Sequence, residues 1–198
     1  MKKMLLLLFS LIVFSGFCQK KKSVEKPAKT TSILAKSENL TAEMIKNNLY
    51  LFINTTGTKN DTILLKTFEG KNVPLDTKIV TFTAKNTQLY AVSWIEKTIT
   101  ATKLKTEVAT TTFTEVCELT SKSKVLSNAQ TTTTIKEIHF LDLKQTVSET
   151  TEKLRKEGFE LIIATDGSIV LKNKTQENKL QYNQESKKFI PIPTNKKK

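Results

Sequence analysis

From Thr77 onward, apolar and polar residues alternate with a period of two over much of the chain. Val80, Phe82 and Ala84 fall on one side of such a stretch, with Thr81 and Thr83 on the other. Tyr90, Val92 and Trp94 repeat the pattern after Asn86-Thr87. Successive side chains of a strand point to opposite faces, so this alternation predicts half-buried β-strands. Residues 49–53 form a continuous apolar run that ends at Asn54-Thr55-Thr56-Gly57, which reads as a buried strand followed by a turn. A second strand is expected over 62–68, broken by the sequence from Glu69 to Pro74.

Between Thr98 and Leu119 the strand character persists while most apolar side chains disappear. Thr98, Thr100, Thr102, Leu104, Thr106 and Val108 are expected to share one face, and Phe113, Cys117 and Leu119 another. Such a stretch predicts a long solvent-facing hairpin whose register is only weakly pinned by burial. Turn chemistry fills 121–130, and 131–141 resumes as a strand with Ile138 and Phe140 on one side.

Two segments read as helices. Residues 41–49 place Met44, Ile45 and Leu49 on one face behind Thr41 as N-cap. Residues 148–157 place Thr151 and Leu154 at helical spacing from Val147, with Gly158 as C-cap. After that, 159–165 and 168–172 read as strands joined at Asp166-Gly167, a two-residue type I′ signal. Leu180 and Tyr182 mark a third strand. Phe189, Ile190 and Ile192 mark a fourth that Pro191 and Pro193 confine to an edge. The expected fold class is α+β: a mostly antiparallel sheet, a meander, with one or two short helices packed on one side.

The N-terminus changes where this body is expected to reside. Lys2 and Lys3 precede an apolar run from Met4 to Phe14 and then Ser15-Gly16-Phe17-Cys18-Gln19, the three-part layout of a secretory signal peptide. The run is shorter than the about 20 apolar residues that a membrane-spanning helix needs. Cutting after Cys18 puts Gly16 and Cys18 at the two positions where signal peptidase accepts small side chains. The alternative is a lipoprotein anchored through Cys18, against which the bulky Phe17 stands. The organisation expected is a signal peptide at 1–18, a basic disordered linker at 19–40, an α+β body at 41–186 and an edge segment with a basic tail at 187–198. Two small subdomains meeting near residue 145 are an alternative division of the body.

The formal net charge is +13, but its position matters more than its size. Lys20, Lys21 and Lys22 lie in the linker and Lys196, Lys197 and Lys198 in the tail, while the body between is close to neutral. These six lysines are candidate contacts for a polyanion, such as anionic lipid head groups or acidic polysaccharide. Arg155 is the sole arginine, so bidentate recognition of guanine or phosphate is nearly absent and no specific nucleic-acid partner is expected.

Candidate chemistry is sparse. His139 is the single histidine, and after leader removal Cys117 is the single cysteine. Two soft ligands are fewer than a zinc site needs, so no metal is expected. A Cys117–His139 nucleophile–base pair lacks any small-residue elbow. No phosphate-binding or dinucleotide loop appears, and no cofactor is expected. Asp61, Asp76, Glu96, Asp142 and Asp166 sit near expected strand ends without a spacing that selects a catalytic pair. Tyr90 and Trp94 are the candidate ligand-stacking residues, weighed against packing in the core because Val92 lies between them. The expected function is a non-catalytic exported module, periplasmic or secreted, that binds a protein or an envelope glycan or lipid. The alternatives are a lipid or sugar carrier with a cavity between sheet and helices, and a carboxylate-based hydrolase.

Overall fold

The computed structural model describes residues 31–54, 61–69 and 73–192. The leader with Cys18, the lysines at 20–22 and those at 196–198 lie outside the described residues. Thirteen strands and no helix occur among them, in three antiparallel sheets. The N-terminal sheet holds β1 (Thr31–Ser37), β2 (Leu40–Ile45), β3 (Asn48–Ile53) and β4 (Asp61–Thr67). The central sheet holds β5 (Leu75–Ala84), β6 (Thr87–Ala101), β7 (Lys105–Glu118), β8 (Ser123–Phe140) and β9 (Ser148–Gly158). The C-terminal sheet holds β10 (Glu160–Ile163), β11 (Ile169–Lys172), β12 (Glu177–Asn183) and β13 (Lys188–Pro191). Each sheet is a meander in chain order.

The α+β expectation is thus corrected: the body is all-β. Residues 40–53 form a hairpin, because Leu40, Ala42 and Met44 alternate inward on β2 while Leu49, Leu51 and Ile53 do so on β3. Period two wins over the helical reading because it buries six apolar side chains on one face. The segment expected as the second helix is β9, paired with β8 from Gln130↔Gly158 to Phe140↔Ser148. Leu154 is the one apolar side chain of this strand, too little for a helix to bury, while β8 offers a full hydrogen-bonding partner. β1 falls inside the stretch read as linker, and residue 145 lies in the β8–β9 turn of the central sheet. β13 is the outer strand of its sheet.

The central sheet is covered on both sides, but only over part of its length. Tyr90, Val92 and Trp94 of β6, with Cys117 of β7, pack against Leu40, Leu49, Leu51 and Leu65 of the N-terminal sheet. The alternate residues, Leu89, Ala91 and Val116, pack with Val125 against Ile169, Leu180 and Tyr182 of the C-terminal sheet. A bulge in the β7–β8 pairing beside Cys117 turns Val125 toward that second core. The face toward the N-terminal sheet is the N face and the face toward the C-terminal sheet is the C face. The result is a three-layer β-sandwich built around one end of the central sheet.

Beyond Ile95 on β6 and Thr112 on β7 the central sheet continues without a covering layer among the described residues. Its far half consists of 96–101, 105–111, 131–140 and 148–157, in which Thr133 alone is buried. The pairing remains unbroken there, from Glu96↔Thr111 to Ala101↔Thr106 and from Thr111↔Thr131 to Lys105↔Glu137. Cross-strand side chains reinforce it: the Thr111 and Thr131 hydroxyls lie 2.8 Å apart and the Lys136 ammonium lies 3.3 Å from Glu152. The long stems of Lys, Glu and Arg shield the ladder from water. On the outer strand β9, charges deter edge-to-edge association. Thr98 and Thr100 lie on the N face and Thr106 and Val108 on the C face, not together as expected, because the turn at 102–104 reverses the alternation.

The C-terminal sheet is anchored through the β10–β11 hairpin. Its Asp166-Gly167 turn is not type I′, since Gly167 has φ +75° while Asp166 is not in the left-handed region. Gly167 donates to the Ala164 carbonyl and Ala164 donates to that of Ser168, which makes a three-residue loop ending in a left-handed glycine. The type I′ hairpin is instead at Lys85-Asn86, both with positive φ. Asp166 accepts from the Ser168 hydroxyl at 2.5 Å and the Ser168 amide at 2.9 Å, with Lys179 at 3.3 Å. The Ser168 hydroxyl first, then its amide, pull the carboxyl down to about 2. Its stabilising contribution is therefore complete above the ordinary value of 3.8 and disappears as pH falls toward 2. In urea unfolding followed from pH 5 to pH 2, Asp166→Asn is expected to lose less stability on acidification than the parent chain. Equal losses in the two proteins would remove this role for Asp166.

Candidate functional site

The chain passes from the central to the C-terminal sheet at Gly158-Phe159, and this crossover creates a cleft. Gly158 has φ +80°, and a Cβ there would lie 2.3 Å from the Ala129 carbonyl oxygen of β8. Only glycine permits both the conformation and the close approach. Asn128 fixes the following residue by donating to the Phe159 carbonyl at 2.9 Å. β10 then departs from the central sheet, and the β11–β12 turn comes to lie over the C face of β8 and β9.

The cleft so formed has a volume of about 620 Å³, within the range typical of ligand sites. Gln130, Leu154, Lys156 and Gly158 form one wall, and Glu160 with residues 172–175 forms the other. The overhanging turn is rigidly built: the Asn173 side-chain oxygen accepts from the Thr175 amide at 2.9 Å and the Gln176 amide at 2.8 Å. Lys172 lies 3.5 Å from Glu177 of the paired strand. Lys156, Lys172 and Lys174 oppose a single lining carboxylate, Glu160, so the cleft is net cationic. Leu154 contributes an apolar floor with 63% of its surface exposed.

The uncovered half of the central sheet extends this site across the strands. On its C face, Lys97 pairs with Thr110, Thr110 with Thr132 and Thr132 with Lys156. The adjacent row on the same face is Ile99, Val108, Thr134 and Leu154. Charge is segregated between the two faces. The C face of this half carries Lys97, Lys136 and Lys156 against Glu152. The N face carries Glu96, Glu107, Glu137, Glu149 and Glu157 against Lys105, Lys153 and Arg155.

The candidate residues of the sequence fall elsewhere. Tyr90 and Trp94 are 5% and 1% exposed, in the core under the N-terminal sheet. Trp94 stacks on Phe113 with ring centroids 5.5 Å apart and donates its indole N–H to Glu96 at 2.8 Å. Lys66 completes the cluster, 2.6 Å from Glu96 and 3.7 Å above the Phe113 ring. Cys117 is fully buried, and burial pushes its thiol up to about 12. His139 is 15 positions beyond the residue paired with Cys117, about 50 Å away along β8. It contacts Thr151 at 3.1 Å instead.

Four of the five candidate carboxylates have structural partners, Glu96 in the cluster with Trp94 and Lys66 among them. Asp61 pairs with Lys122 at 2.9 Å, while Asp142 caps the amides of Thr146 and Val147, each at 2.9 Å. Asp166 caps the hairpin already described. Among the described residues, no three His, Cys, Asp or Glu side chains gather in a geometry able to hold a metal ion, and no helix is long and apolar enough to cross a membrane. The signals that sequence reading left unused were Lys156 and the Lys172–Thr175 turn, which only the crossover at Gly158 brings together. No family model, curated protein or solved structure matches the chain in comparison.

Proposed function

We propose that the protein is an exported, non-catalytic binding module that takes its ligand in the cleft beneath the β11–β12 turn. The observation that carries this reading is a cleft of ligand size, framed by a hydrogen-bonded turn and a fixed crossover, whose lining presents donors and an apolar floor. The polar groups there are lysines, amides and hydroxyls, suited to hold a ligand and without a paired nucleophile and base. The lining includes one carboxylate, whereas hydrolysis of a glycoside by two carboxyl groups needs both in one cleft. A carrier with its cavity beneath helices loses its premise in an all-β body. Export rests on the Lys2-Lys3 and apolar leader, and N-terminal sequencing of protein from the native host is expected to begin near Gln19.

Binding is tested by thermal shift of the chain from Gln19 onward against soluble saccharides, fatty acids and dicarboxylates. A rise in Tm with one of these classes, abolished by the cleft-filling variant Leu154→Trp, is the expected result. No shift with any class, or a shift indifferent to Leu154→Trp, would overturn the reading.

A further inference from the structure

We infer that the ligand is an acidic polysaccharide, bound as an extended chain across the C face of the uncovered half of the central sheet with one end in the cleft. This rests on the cleft being a binding site and assigns the ligand class. The warrant is the arrangement of charge and hydroxyls, not the charge total. Lys97 and Lys156 stand at the ends of one row with Thr110 and Thr132 between them. Adjacent strands are about 4.8 Å apart, so the row spans about 14 Å from β6 to β9. At its β9 end the row runs into the cleft, where Lys174 continues the positive charge and Lys172 stands paired with Glu177.

A ligand matching this track carries anionic groups spaced along an extended chain, hydroxyls between them, and apolar patches on one side. The row of Ile99, Val108, Thr134 and Leu154 lies beside the lysine–threonine row, with Ile99 and Leu154 61% and 63% exposed. Uronic-acid chains have this composition: carboxylates on each ring, hydroxyls, and C–H faces that rest on aliphatic side chains. The opposite face repels such a chain, since glutamates outnumber cations there.

The same surface is poorly suited to nucleic acid. Phe140 is exposed on this face but three rows beyond the aliphatic row, so the lysine row has no aromatic rings beside it on which successive bases stack. The single arginine, Arg155, belongs to the N face. A bilayer also fits poorly, because the cleft is concave and its lysines flank a groove rather than a plane.

The test uses the chain from Gln19 onward and polygalacturonate, with dextran, duplex DNA and phosphatidylglycerol vesicles as comparison probes. Binding to polygalacturonate is expected to weaken with added salt and to fall about tenfold or more in the Lys97→Gln, Lys156→Gln double variant. Lys153→Gln, on the same strand but the opposite face, is expected to bind within about twofold of the parent, given how little a distant surface charge contributes. Lys156→Gln and Lys153→Gln each remove one exposed charge from β9, so Lys153→Gln controls for the effect of that loss on folding. Equal loss in Lys153→Gln, or tighter binding to DNA or to the vesicles than to polygalacturonate, would overturn the assignment. Should dextran or a fatty acid bind through Leu154 while polygalacturonate does not, the ligand class fails and the cleft stands. Should no probe bind, both fail.

Discussion

Gly167→Ala is expected to lower the stability of the whole molecule by about 3 kcal/mol or more. Two independent physical costs meet at this residue. The glycine holds φ +75°, a conformation that costs an L-residue roughly 1–2 kcal/mol. A Cβ built there would lie 2.0 Å from the Thr83 carbonyl oxygen and 2.7 Å from the Ala84 Cα. Both are backbone atoms of β5, so no side-chain rotation relieves the overlap. The hairpin tip must retreat, and it carries Ser168 and Ile169, 2% and 0% exposed, away from the second core with it. Urea unfolding monitored by circular dichroism is the measurement. A midpoint within error of the parent would show that the C-terminal sheet does not dock through this turn.

Trp94→Ala is expected to cost about 3–5 kcal/mol, the usual range for removing a large buried aromatic side chain. Trp94 is 1% exposed, stacked on Phe113, and joined to the Lys66–Glu96 pair through its indole N–H. It lies where the N-terminal sheet ends and the uncovered half of the central sheet begins. Truncation leaves a cavity between sheets and removes the face on which Phe113 rests. Trp94→Phe keeps the ring contact and loses only the hydrogen bond and part of the volume, so a smaller loss is expected. Denaturant midpoints of the two variants distinguish these contributions. Similar losses in both would assign the effect to what Trp94→Phe also removes, the hydrogen bond with Glu96 and the outer part of the indole, and not to the ring contact with Phe113.

Much of the strand architecture was legible in the sequence, and the errors have identifiable causes. Tyr90, Val92 and Trp94 share a face as their spacing requires, and β13 lies at an edge, the position that Pro191 permits. The second helical reading failed at β9 because Glu, Lys, Leu and Arg favour helix intrinsically. Pairing with β8 outweighs that preference, which a single segment does not reveal. Gly158 shows how a correct local signal attached itself to the wrong element. Its positive φ is real, yet it serves a strand-to-strand crossover and not a helix terminus.

The candidate cleft was not legible, for a related reason. Lys156 lies on β9 and Lys174 in a turn of another sheet, and no periodicity within either segment relates them. The segregation of charge between faces required the register of four strands. Tyr90 and Trp94 attracted notice because aromatic rings are conspicuous in a sequence, whereas alternating lysine and threonine on separate strands are not.

Everything proposed for the C face requires that a sheet open to water on both sides hold its register. Amide hydrogen exchange on 105–111 and 131–138 measures this most directly, because these strands have a partner on each side but no covering layer. Ladder amides there are expected to exchange many times more slowly than an unstructured chain, although less protected than those of 89–94 and 113–117 in the sandwich. Exchange at the rate of unstructured chain in the far half, with protection confined to the sandwich, would contradict the account.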